Sequence, residues 1–115
     1  MTTESVNESL GKWELQLRKG LLTFAVLREL SREQHYGYSL IAALSKVLQA
    51  DMAEGTIYPL LSRLQRDGMI DSHWQIQPSG PARKYYRITD DGTVLLARMQ
   101  AHWLHVNQRL GGTKS

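Results

Sequence analysis

Arg63 and Arg66, three apart on one face of a helical pattern, and Arg83, Lys84 and Arg87, just past a Gly-Pro turn, are suited to phosphate chemistry. A guanidinium can pair with a phosphate or fork onto the major-groove edge of guanine. Each phosphate that a cation neutralises also releases counterions. Small polar groups accompany the arginines: Thr56, Tyr58 and Ser62 share the outer side of the first pattern with Arg63. Tyr36 and Tyr38 flank Gly37 where another helix would begin, so a phenol there could reach a phosphate beside free helix N–H groups. Taken singly, each group has a plainer reading. An arginine-bearing helix face is often only solvated. A basic hairpin protects a sheet edge, and tyrosines at a helix start pack against the next helix.

Other residues are weaker candidates. His102 and His105 stand three apart, and imidazoles suit zinc or nickel. No carboxylate joins them in the pattern and the chain has no cysteine, so the expected metal is none. Catalysis finds no nucleophile elbow, phosphate-binding glycine loop or zincin motif. No cofactor is called for.

The elements that must position the cations can be read from apolar spacing. Ile57, Leu60, Leu61 and Leu64 recur at i, i+3, i+4, i+7, one stripe of a helix from Glu54 to Asp67. Gly68 can take the left-handed conformation that ends it. Pro59 is placed near its first turn, where a missing N–H costs least. Before it, Leu40, Ile41, Leu44, Val47 and Leu48 mark a helix opened by Tyr36-Gly-Tyr38. Gln49 to Ala53 form the turn, with Asp51 a candidate cap. From Leu10 to Ser31, Trp13, Leu17, Leu21, Phe24 and Leu27 keep the helical period. Leu22, Ala25, Val26 and Leu30 widen that stripe until the second half is apolar nearly all round, as a helix covered on two sides would be.

Ile70 to Gln77 alternates in part, with Ile70, Ser72, Trp74 and Ile76 on the expected buried side. Pro78-Ser-Gly-Pro-Ala82 is turn chemistry. Arg83 to Ile88 returns with Tyr86 and Ile88 on one face and Arg83, Tyr85 and Arg87 on the other. The result is a hairpin with a basic loop flank. Thr89 can cap a last helix, and Asp90 and Asp91 suit its positive end. Leu96, Met99, Trp103, Val106 and Leu110 then step by 3, 4, 3, 4, a heptad seam. Such a helix runs roughly 33 Å at 1.5 Å per residue, longer than the small body can cover. The seam therefore wants a partner helix. Trp103 on it could pack at an interface or sandwich a flat ligand against its symmetry mate.

Size and composition agree. One domain is expected for 115 residues, and 42% hydrophobic residues allow a core. Fourteen Lys and Arg against eleven Asp and Glu leave +3, so the placement of charge matters more than its sum. No apolar run approaches the roughly 20 residues of a membrane span, and the start lacks a signal-peptide core. A cytoplasmic protein with no membrane partner is expected.

The expected fold is mainly α with a small β-hairpin: a winged helix-turn-helix plus a C-terminal dimerisation helix. Residues 1–9 read as a flexible arm, 10–88 as the winged domain with its N-terminal helix, 89–110 as the dimerisation helix and 111–115 as a tail. The expected partners are double-stranded DNA, a second copy of the chain and, at Trp103, a small aromatic ligand. Two rivals stand beside this reading: a winged helix that binds only protein, and a metal-responsive regulator using His102 and His105. Salt-dependent DNA binding separates the first and stoichiometric metal the second.

In combination, the motifs resemble the PadR-type transcriptional regulators. Leu17-Arg-Lys-Gly-Leu-Leu22, Tyr36-Gly-Tyr38, Glu54-Gly-Thr-Ile-Tyr-Pro-Leu-Leu61, Arg63-Leu64, Asp67-Gly68 and Gly80-Pro-Ala-Arg-Lys-Tyr-Tyr-Arg-Ile-Thr89 carry the likeness. The resemblance implies a homodimer joined by its first and last helices, which usually represses its own or adjacent genes. It implies for some members release of DNA on binding small aromatic compounds. In multidrug-responsive members a tryptophan at the Trp103 position lines an aromatic site between subunits. One C-terminal helix makes this chain look like the short form.

Overall fold

A computed structural model describes residues 2–112. The chain runs α1 (Thr3–Arg32), β1 (His35–Tyr36), α2 (Gly37–Leu48), α3 (Glu54–Arg66), β2 (Ile70–Gln75), β3 (Arg83–Ile88) and α4 (Asp90–Arg109). The mainly helical winged fold expected from the sequence is what forms, with a three-stranded sheet in place of a bare hairpin.

Apolar stripes explain the packing. Val26, Leu27 and Leu30 of α1, Leu40 and Leu44 of α2, and Ile57, Leu61 and Leu64 of α3 close one core with Ile70 of β2 and Tyr86 of β3. Each fully buried leucine contributes roughly 1.5–3 kcal/mol over leaving it in water. α3 buries the whole stripe Ile57, Leu60, Leu61 and Leu64, so Thr56, Tyr58, Ser62, Arg63 and Arg66 face outward.

The sheet is antiparallel with order β1-β3-β2. His35 pairs with Tyr86 and Tyr36 with Tyr85, so Tyr36 belongs to a strand as well as to the start of α2. The His35 imidazole is buried. Ser39 Oγ gives its proton to the Tyr36 carbonyl at 2.9 Å, so the 3.0 Å contact with His35 Nδ1 needs the proton on that nitrogen. This pair fixes the first turn of α2 without a side-chain cap.

Several expectations need correction. Residues 3–9 are helical rather than a flexible arm: Thr2 Oγ1 accepts from Ser5 N, and that cap starts α1 early. Asp51 does not cap α3. The cap is Ala53, with no side-chain bond, and Ser45 Oγ holds the turn through Met52 N. Pro59 lies in the second turn of α3, not the first. The N–H it lacks would have reached the carbonyl of Gly55, an exposed residue. Trp74 and Ile76 are exposed rather than half-buried, because the hairpin runs past the end of the body. Gly68 does adopt a left-handed backbone, with φ 80°.

Candidate nucleic-acid interface

The outer side of α3 is flanked by a basic cleft and an aromatic one. Toward α1, Thr56, Pro59, Arg63 and Arg66 line a cleft of about 390 Å³ with Lys19 and Thr23. Among the described residues, three cations and no carboxylate border it. Lys19 comes from the middle of α1, so the fold, not sequence proximity, adds it to the two arginines.

Toward the wing, the exposed Tyr38 and the half-buried Tyr36 meet Tyr58, Trp74, Arg83 and Lys84 around a second cleft of about 300 Å³. Gly37 makes this approach possible: a methyl group there would overlap the Tyr58 hydroxyl. The Tyr58 ring therefore lies over the start of α2. Burial, then the Glu54 carboxylate and Tyr38, push the Tyr58 phenol above its ordinary range. Burial, then Tyr58, do the same to Tyr86. Both phenols stay protonated near neutral pH, and Tyr58 can present an O–H to an anion.

The wing cations are not equivalent. Arg83 and Lys84 begin β3 on opposite faces. The Arg83 guanidinium sits 4.4 Å over the Tyr36 ring, and Lys84 Nζ lies 5.8 Å from the Tyr86 ring centre. Tyr36 in turn meets Tyr85 edge-on at 5.5 Å. Arg87 is not at the loop as expected. It lies at the far end of β3, where its Nε donates to Asp71 Oδ1 at 2.6 Å. Arg83 and Lys84 are therefore the cations that remain near the wing tip. Ser62 stays on the open side of α3.

The last helix divides its heptad seam in two. Thr89 caps α4 as expected, accepting from Gly92 N at 3.1 Å. Leu96 is only 6% exposed inside the chain's own core, and Met99 packs partly on that core. Leu96 is therefore unavailable to a partner or ligand, contrary to the expectation from spacing. Further along, Trp103 is 44% exposed, Val106 half-buried and Leu110 open at the helix cap. Trp103 closes an apolar hollow of about 160 Å³ with Leu21, Phe24, Val47 and Leu48, with Arg28 beside it. Ligand pockets run from about 300 Å³ upward, so this hollow alone is smaller than a ligand site. His102 and His105 are exposed on the same helix. Among the described residues no three His, Cys, Asp or Glu side chains group together. No helix among them is long and apolar enough to cross a membrane.

The pattern of the PadR-like family of transcriptional regulators matches residues 26–98. The chain belongs to this family. A PadR family transcriptional regulator from Eggerthella lenta is 34% identical; the match covers 95% of each chain, with a TM-score of 0.83. A PadR-like regulator from Bacillus cereus is 38% identical over 84% of this chain and 93% of its own, with a TM-score of 0.76. An uncharacterised protein of Lysinibacillus sphaericus is 28% identical over 78% of this chain and 84% of its own. The matched segment of the PadR-like chain holds α2, α3, the wing and the first half of α4.

Two residues of this PadR-like surface are not evident as such in the sequence. Lys19 sits in the motif Leu17 to Leu22, and no spacing rule connects it to Arg63. Trp74 alternates with Ile70, which points it to the core side. An apolar residue near a turn rich in proline and glycine is the available signal that the strand outruns its cover.

Proposed function

We propose that the chain is a homodimeric repressor that acts in the cytoplasm, binds a near-palindromic operator and releases it when a planar aromatic compound binds near Trp103. The observation that carries the reading is the outer side of α3, which holds Thr56, Ser62, Arg63 and Arg66 between Lys19 on one flank and the wing on the other. A major groove admits one helix, so α3 would read bases there. Tyr36, Tyr38 and Tyr58 would bind the flanking phosphates with Arg66, Arg83 and Lys84. A dimer places two such helices about one helical turn apart, roughly 34 Å.

The two kinds of contact leave different signatures. Arg63→Ala should cost about 1–3 kcal/mol on operator DNA and little on scrambled DNA. Arg83→Ala combined with Lys84→Ala should weaken both alike. It should also lower the slope of log affinity against log salt by about 0.9 for each phosphate no longer neutralised. Equal losses for Arg63→Ala on both DNAs would give that arginine a phosphate role. An unchanged salt slope would remove the wing from the DNA backbone.

The dimer would bring Trp103, Val106 and Leu110 of two α4 helices together near the two-fold axis, with Met99 at the edge. Two hollows beside Trp103 would then join into a site of ligand size. A flat aromatic ring could stack there in offset geometry. It would change DNA affinity only by preferring one dimer arrangement. Titration of planar aromatic compounds should quench tryptophan fluorescence at micromolar concentration, and the change should vanish in Trp103→Ala. Because Trp13 and Trp74 also emit, the difference between the two proteins is the measurement. Quenching that persists in the variant would place the ligand elsewhere.

A further inference from the structure

Trp74 is 69% exposed and Ile76 is 89% exposed, and neither supports the core. Trp74 stands opposite Lys84 in the sheet register, and Ile76 follows the last paired residues, Gln75 and Arg83. The wing thus carries two large apolar groups out into water beside two cations. Leaving apolar surface in water forgoes roughly 25 cal/mol for each Å². The fold gains little from Ile76, and from Trp74 only the part of its ring that lines the cleft with Tyr58 and Lys84.

We propose that Ile76, supported by Trp74, forms an apolar wedge that enters the minor groove of bound DNA and kinks it. The proposal rests on the DNA-binding reading and adds a second source of specificity to it. Charge decides the occupant. From Ser72 to Thr89 the chain contains no Asp or Glu, while Arg83 and Lys84 flank the apolar pair. Of the carboxylates nearby, Asp71 is engaged by Arg87, and Glu54, which acts on the Tyr58 phenol, lies on α3 outside the lining of the cleft. Such a surface repels another copy of itself and attracts a polyanion.

Geometry selects the groove. With α3 in the major groove, the wing beside it reaches the adjacent minor groove. There, apolar side chains such as isoleucine part a base step, and the cost of unstacking is offset by wider contact with the bent duplex. The hairpin is braced for this. Its loop, residues 76–82, contains Pro78 and Pro81, and the Trp74 side chain lines the cleft that also contains Tyr58 and Lys84. Lys84 can hold a phosphate at the edge of the groove while Trp74 covers sugar surface. Pyrimidine–purine steps unstack most easily, so the operator should carry TA or CA where the wing lands. The protein would then discriminate among sequences at base pairs that α3 never touches.

The test uses the full chain and an operator isolated by selection from random DNA. 2-Aminopurine is placed at each pyrimidine–purine step flanking the half-sites, and bending is read by circular-permutation gel mobility. The parent chain should raise the probe's fluorescence at one step per half-site and bend the fragment within about 20–90°. Ile76→Ser should abolish the fluorescence rise and most of the bend, and lower operator affinity about tenfold. Trp74→Gln should weaken both. Because both residues are exposed, circular dichroism should show folded variants. Operator binding without unstacking or bending would overturn the wedge and leave the DNA reading intact. So would variants that bend DNA as well as the parent. A parent chain that binds no DNA would overturn the DNA reading itself. Self-association of the parent that Ile76→Ser abolishes, with no DNA kink, would assign the pair to a protein contact instead.

Discussion

Gly92→Ala should destabilise the fold by about 3 kcal/mol, although alanine is the better helix former. Gly92 lies in the first turn of α4, where a Cβ would overlap the carbonyl oxygen of Met69. That carbonyl cannot simply retreat, because it accepts from Thr89 N at 3.1 Å. The Thr89 hydroxyl is tied as well: it donates to the Gly68 carbonyl at 2.6 Å and accepts from Gly92 N. One small junction thus joins the end of α3, the entry to β2, the end of β3 and the start of α4. Replacing glycine by alanine inside a helix gains at most about 1 kcal/mol, so backbone overlap should win. Urea denaturation of the two proteins decides the matter. A variant within about 1 kcal/mol of the parent would mean that the junction yields easily. The same variant should bind operator poorly even where it is folded, because the angle between α3 and the wing is set there.

Trp103→Glu should convert the proposed dimer to monomer and lower operator affinity by about 100-fold or more. The exposed half of the α4 seam, from Trp103 to Leu110, would give a partner helix its apolar contact. A glutamate near the two-fold axis appears twice. It brings like charges together in a desolvated place, which costs several kcal/mol. Losing the second reading head removes an avidity worth about 10²–10⁴. The residue is 44% exposed, so the protomer should remain folded. Sedimentation of parent and variant gives the first answer, and operator titration the second. A parent that sediments as a monomer, or a variant that stays dimeric, would remove α4 from the interface.

Much of the candidate surface is legible in the sequence, and the reasons are local. The stripe Ile57, Leu60, Leu61, Leu64 fixes the buried side of α3, so its outer side follows by subtraction. Gly68 marks its end by a conformation few other residues accept. Thr89 and two acids mark the start of α4. The failures share another cause. Periodicity identifies an apolar face but not what covers it. Ile70 and Trp74 share parity, yet only Ile70 lies over the core. Leu96 and Trp103 share a seam, yet α1 and its neighbours bury Leu96 and cover Trp103 only in part. β1 has two residues, too few to show a period, and its partner strand lies some 50 positions away. The junction of Lys19 with Arg63 depends on how α1 crosses α3, which no local pattern encodes.

Selection from a random double-stranded DNA pool, at physiological salt and with the full chain as bait, tests the central claim most directly. A winged-helix dimer that reads two major grooves should enrich an inverted repeat with half-site centres about one helical turn, roughly 10 bp, apart. A pool that stays random after repeated rounds, or an enriched sequence with a single half-site, would contradict it.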